Sequence, residues 1–226
     1  MAISVVSTSS GSIGAAATSL AINAPASIAV GDVLIAVLAI DGGSNNTMTL
    51  PAGWTSDLDY SRGTAIKILI SHRVVDGTEG ASFTWQTSTA NKMCGGIVAY
   101  RGVDTATVFE VAPTGADGSA GTATHPGATS LSANAWFLWG LAIDGTGTTT
   151  TAASGFTQEV SITTGRGSEI QDKAQATPGA SGALSSTLGV SRQWATGLGA
   201  IKAAVATGLP PGMRITMAQP LVAMEI

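Results

Sequence analysis

The sequence predicts an all-β protein: a two-sheet sandwich, jelly-roll-like, built from an internal duplication of halves of about a hundred residues and ending in a C-terminal extension. Three observations predict it. The stretch Val37–Gly43, VLAIDGG, is written almost unchanged at Gly140–Gly147, GLAIDGTG. No window holds a 3.6-residue apolar period over three turns, and 29 glycines and frequent threonines disfavour long helices. Short β-rich runs are instead separated by Gly, Asp, Asn and Pro.

The duplication extends well beyond LAIDG. ATSLAI from Ala17 parallels ATSLSA from Ala128, and PAGWT (Pro51–Thr55) parallels ASGFT (Ala153–Thr157). SRGTAIKI from Ser61 is aligned with GRGSEIQD from Gly165, EGASFTW from Glu79 with PGASGAL from Pro178, and GGIVAYRG from Gly95 with TGLGAIKA from Thr196. The matches are collinear, so residues 1–204 read as one sandwich domain with half-repeats at about 1–104 and 105–204; residues 205–226 are a C-terminal arm.

In the first copy the strands are expected, in order, in TSLAI, VLIAVLAI, TAIKILISHRVV, ASFTWQT and KMCGGIVAYRG. VLIAVLAI, Val33–Ile40, is apolar on both faces and suits a doubly buried strand; eight residues fall far short of a membrane span. In TAIKILISHRV, Ile66, Ile68 and Ile70 point to the core and Lys67, Ser71 and Arg73 to water. A half alone would have a thin core and open edges, so the two copies are expected to interleave into two packed sheets. Leu38, Ile40, Leu141 and Ile143 then pack the core, while Asp41 and Asp144 open the following turns.

Composition narrows the function classes. Charged residues are 11% of the chain, the net charge is −4, and ten Lys and Arg are scattered singly, which argues against nucleic acid as a partner. Mean hydropathy of +0.32 argues against disorder. The N-terminal stretch lacks the pattern of a secretory leader, and no run suits a membrane span. The one cysteine, Cys94, lies in MCGGIVAY and reads as a buried small apolar residue.

Catalytic patterns are missing from the sequence. GSIG and GASG are not a nucleophile elbow. His72 reads as a solvent-facing strand residue and His125 as a solvated loop residue, and neither has metal-ligand spacing. DLDY, Asp57–Tyr60, reads as a solvated loop without calcium-loop spacing. The expectation is a non-enzyme with no cofactor and no metal.

Trp54, Tyr60, Trp85, Tyr100, Trp136, Trp139 and Trp194 are the candidates for a sugar-stacking platform. Trp54 aligns with Phe156, and Trp136 and Trp139 bracket an apolar strand, so these read as core; the loops to carry a ligand are those after Asp41 and around Tyr60.

The arm contains three of the six methionines and three of the eight prolines. Met213, Ile215 and Met217 alternate with Arg214 and Thr216, and Leu221, Val222, Met224 and Ile226 follow. This is the subunit-interaction candidate, able to add a strand to a neighbour's sheet edge; the alternative is a cover for its own sandwich.

The segment VGDVLIAVLAIDGG, LPAGWT, SHRVVDGTEGASFTW and GGIVAYRGVD resembles a β-sandwich module of tailed-bacteriophage minor tail and other virion structural proteins, found also in some bacterial surface proteins. The resemblance covers roughly Val30–Asp104 and reaches the second half through the repeat. It implies a non-enzymatic structural protein of the virion, assembled in the host cytoplasm and displayed as a minor tail or capsid decoration component. Its partners are then the major capsid or tail proteins and further copies of itself in a homo-oligomer; the C-terminal arm departs from the resemblance and suits docking to the particle. The alternative is a carbohydrate- or receptor-binding module taking a host surface glycan.

Overall fold

The run Val33–Ile40 forms the central strand of a sheet, buried on both faces as its uninterrupted apolar pattern requires. The computed structural model describes residues 2–147 and 150–205. The first half contains β1 (Ser4–Asn23), β2 (Val33–Asp41), β3 (Met48–Thr49), β4 (Thr55–Arg62), β5 (Ile66–Val74) and β6 (Ser82–Arg101). The second contains β7 (Phe109–His125), β8 (Thr129–Ser130), β9 (Ala135–Ile143), β10 (Thr157–Ile162), β11 (Gly167–Gln175), β12 (Gly179–Ala180) and β13 (Leu184–Ile201). Among the described residues the helical element is one short 3-10 turn, Gly43–Asn45.

Each half makes a sheet of its own. The first sheet runs β1-β6-β2-β5-β4, with β3 also on β6; the second runs β7-β13-β9-β11-β10, the same order in the same sequence of strands. The small pair β8–β12 completes the second half. All pairings are antiparallel. The two-sheet sandwich and its duplication are therefore present, but the expected interleaving is not. Every ladder stays within one half, which avoids the loop-closure cost of passing back and forth between sheets.

The sheets stack with β2 against β9, β4 against β7 and β1 against β10, and with β5 against β13 and β6 against β11. Exchanging the halves converts this set of contacts into itself. The sandwich thus has a pseudo-twofold axis passing between β2 and β9.

The long strands explain how each half hides its outer face. Beyond Ile13 the β1–β6 ladder shifts register twice, and Leu20, Ile22, Phe83 and Trp85 fold back over Leu34, Leu38, Ile40 and Leu69. Gly11 lies under this fold, where a Cβ would be 2.9 Å from the Ala21 carbonyl oxygen. The second half repeats the device: a shift between Thr187 and Arg192 lets Ala123, Leu184 and Leu188 cover Phe137, Trp139, Leu141 and Ile143. Between the sheets lies a third cluster, with Val33, Ile35, Val37 and Ala39 meeting Leu138, Ala142, Val160 and Ile170. Leu38, Ile40, Leu141 and Ile143 are buried as expected, in the outer clusters.

This cover corrects the reading of β5. Lys67, Ser71 and Arg73 do alternate with the isoleucines, but they are covered rather than in water, at 5%, 0% and 8% exposure, with Lys67 under the loop after β2 and Arg73 under the Ala52 turn and the 76–79 loop. The Lys67 ammonium donates to the Asn46 carbonyl at 2.9 Å and pairs with Asp59 at 2.5 Å.

Candidate functional site

The ladders define which residues of the two halves are equivalent. Leu38 lies opposite Leu69 and Leu141 opposite Glu169; Ile35 lies opposite His72 and Leu138 opposite Asp172. Leu69 therefore corresponds to Glu169 and His72 to Asp172. The letter match of SRGT with GRGS is a misalignment, because Lys67 corresponds to Gly167 rather than to Gln171. Between the equivalent pairs Tyr60–Ile68 and Ile162–Ser168 the second hairpin is two residues shorter, so Arg62 ends β4 whereas Arg166 immediately precedes β11. PAGWT and ASGFT are genuinely equivalent. Gly53 and Gly155 have φ of 78° and 77°, and the Trp54 and Phe156 amides close the same turn onto Pro51 and Ala153.

The repeated aspartates meet. Asp41 ends β2 and Asp144 follows β9, and across the axis both pair with Arg166: Asp41 through Nη2, and Asp144 at 3.4 Å from Nε. Arg166 is largely buried while both carboxylates keep some exposure. Arg62, on the other side of its hairpin, goes elsewhere: Nη1 donates to Asp117 at 2.6 Å and Nε to Gln193 at 3.1 Å. These ion pairs tie one sheet to the other at the end where β2 and β9 finish.

At the opposite end two equivalent polar sites lie between the sheets. Both edge strands carry a bulge at the same place, between Ser56 and Leu58 in β4 and between Gln158 and Val160 in β10. The extra residues are Asp57 and Glu159. In the first half Asp57 bonds the His72 Nδ1 at 2.8 Å, with Phe109 edge-on to the ring. In the second half Asp172 stands where the histidine was. It accepts from the Tyr100 hydroxyl at 2.9 Å, with Glu159 nearby and Trp136 edge-on to Tyr100. Burial, with the Glu159 charge adding to it, pushes the Asp172 carboxyl up to about 7 against the lowering effect of Tyr100. Burial likewise raises Glu159 and holds the Tyr100 hydroxyl well above its usual range. A histidine–carboxylate pair in one copy is thus an acid pair in the other.

No protein-family model, curated protein or solved structure matches this chain.

The residues singled out in the sequence fall as follows. Tyr60 lies in strand β4 rather than a loop; it is partly buried, and its hydroxyl donates to Asp117 at 2.6 Å. DLDY belongs to the same strand. His72 faces the intersheet space instead of solvent. His125 is buried, not solvated: Nε2 donates to the Thr114 carbonyl at 2.9 Å and Nδ1 accepts from the Gly127 amide at 3.2 Å. Burial lowers its pKa, so the ring is neutral. Cys94 is fully buried, donates to the Arg166 carbonyl, and burial pushes its thiol up to about 12.

Trp54, Trp85, Trp139, Trp194 and Tyr100 are buried, and the rings that keep partial exposure are Tyr60, Trp136 and Phe109. Met213, Ile215, Met217, Leu221, Val222, Met224 and Ile226 lie outside the described residues. Among the described residues no three His, Cys, Asp or Glu side chains group to hold a metal ion.

The site residues that sequence reasoning missed are Arg166, Asp57, Glu159 and Asp172. One signal was available: the repeat places an acid at Asp41 and again at Asp144, and two like charges brought together on a pseudo-twofold favour a cation between them. Nothing in the letters identified Arg166 as that ion, because its position depends on the length of a turn.

Proposed function

We propose that this chain is a non-enzymatic structural protein of a tailed-bacteriophage particle, displayed on the virion as a minor tail or head decoration component. The observation that carries the reading is the Asp41–Arg166–Asp144 clasp. The polar groups that the duplication repeats satisfy one another across the sheets instead of converging on a substrate, and a sandwich tied in this way serves as a rigid displayed module. The motifs from Val30 to Asp104 that resemble virion modules support the same conclusion. They are turn and strand signals, and they serve here as turns and strands.

The test is localisation by electron microscopy of purified particles labelled with antibody against this protein. Label over the shell makes it a capsid decoration protein, and label at the tail makes it a minor tail component. Absence of label from intact and disrupted particles overturns the proposal. Truncation after Ala204 then tests docking through the arm, which requires loss of incorporation with the sandwich still folded.

A further inference from the structure

The pseudo-twofold maps one flank of the sandwich, where edge strand β4 stands over β7, onto the other, where β10 stands over β1. The two flanks are built differently. The first is laced shut: Tyr60 and Arg62 of β4 both bond Asp117 of β7. On the second flank Ile162 takes the place of Tyr60 and Ser12 that of Asp117, as their ladder partners Ser168 and Cys94 correspond to Ile68 and Ala195. Among the described residues no ion pair joins β1 to β10.

The exposed strand edges differ in the same way. β4 carries Asp57, Asp59 and Arg62, β7 carries Glu110, Pro113 and Asp117, and β10 carries Glu159. β1, SVVSTSSGSIGAAATSLAIN, has 20 residues and not one Asp, Glu, Lys, Arg or Pro. An edge strand presents a row of unpaired N–H and C=O groups, and charges and prolines are what keep such rows from pairing with another chain. From Ser7 to Ile13 the register of β1 against β6 is unbroken, so this stretch is a straight edge. Thr8, Ser10 and Ser12 on it are exposed.

We propose that β1 is a self-association edge, at which Ser7–Ile13 of one copy pairs antiparallel with the same segment of a second copy. Two identical edges meet in this way about a true twofold, each residue facing its mirror position. Centred on Ser10, the pairing sets Ser9 against Gly11, Thr8 against Ser12 and Ser7 against Ile13, with uncharged side chains throughout. The Ser7 and Ser9 hydroxyls are already donated to the Ala26 and Asn23 carbonyls, the exposed Thr8, Ser10 and Ser12 hydroxyls bond across the strands, and no charge is desolvated. The first sheets of two sandwiches then form one continuous sheet. The inference does not depend on the virion reading, since the edge acts wherever the protein is displayed.

The experiment measures the mass of the full chain in solution by light scattering, for the natural protein and for the double variant Thr8→Lys/Ser10→Lys. The expected result is a dimer or larger even-numbered assembly for the first and a monomer with an unchanged circular dichroism spectrum for the second. Ser10→Cys serves as an independent readout should the double variant not fold. It is expected to form an intermolecular disulfide under mild oxidation, which buried Cys94 does not. A monomeric natural protein, an assembly unaffected by the lysines, or a Ser10→Cys protein that does not cross-link overturns the proposal.

Discussion

Val37 of β2 packs against Gly140 of β9, and the two are the same position of the duplicated unit. A Cβ on Gly140 would lie 2.9 Å from Val37 Cγ1 and 3.2 Å from Ile68 Cδ1. On a pseudo-twofold axis a residue meets its own counterpart, so two valines would compete for one volume. The copies therefore read VLAIDG and GLAIDG: the difference in the first letter is a packing requirement of the axis.

Gly140→Val overfills this contact and is expected to destabilise the protein by about 1–3 kcal/mol or more. Val37→Gly leaves a cavity and costs roughly 2–4 kcal/mol. The double swap moves the side chain across the axis. It is expected to recover part of the loss, as a coupling energy of about 1–3 kcal/mol between the sites. Urea denaturation of the four proteins measures it; strictly additive losses would show that the two positions do not share a volume.

Arg166→Met removes the counter-ion of Asp41 and Asp144 and leaves two carboxylates converging on an apolar side chain. The carboxylates keep water on one side, so the expected loss is moderate, about 1–3 kcal/mol. Adding Asp41→Asn and Asp144→Asn to Arg166→Met is expected to restore part of it. Equilibrium unfolding at low and high salt checks both, with a smaller penalty at high salt because the repulsion is screened.

Asp172 makes stability depend on pH. Its carboxyl titrates near 3.8 in the unfolded chain and at about 7 in the folded one, so between these values the folded state holds the extra proton. Stability from this group is complete below the unfolded value and is lost as pH rises through the folded value, by a total of roughly 4 kcal/mol. Asp172→Asn keeps the Tyr100 partner without the charge. It is expected to be more stable than the natural protein above pH 7 and to flatten the profile between pH 4 and 7, as read by thermal melts across that range. An unchanged profile would mean that Asp172 is ionised throughout.

Arg73 is the most heavily engaged cation of the outer face. It donates to Glu79 at 2.9 Å, to the Ala52 carbonyl at 2.7 Å, to Thr78 at 2.9 Å and to Asp76 at 3.1 Å. Arg73→Met leaves the buried Glu79 carboxylate without its counter-ion and is expected to cost roughly 3–5 kcal/mol. Chemical denaturation measures the loss, and a cost below about 1 kcal/mol would place Arg73 among ordinary surface pairs.

The sequence by itself determined the strands, the duplication and the turns. Val33–Ile40 had to be buried on both faces because it is apolar throughout, and the Gly53 and Gly155 turns are legible because a positive φ selects glycine. These are local properties, carried by neighbouring letters. Only the tertiary structure decided that each copy is a whole sheet, that Lys67 and Arg73 lie under the loops after β2 and before β6, and that Arg166 rather than Arg62 reaches the axis. It also decided that Asp172 sits where the other half has His72. Each of these depends on which distant strand lies opposite, and alternation along a strand says which residues share a face but not what covers that face.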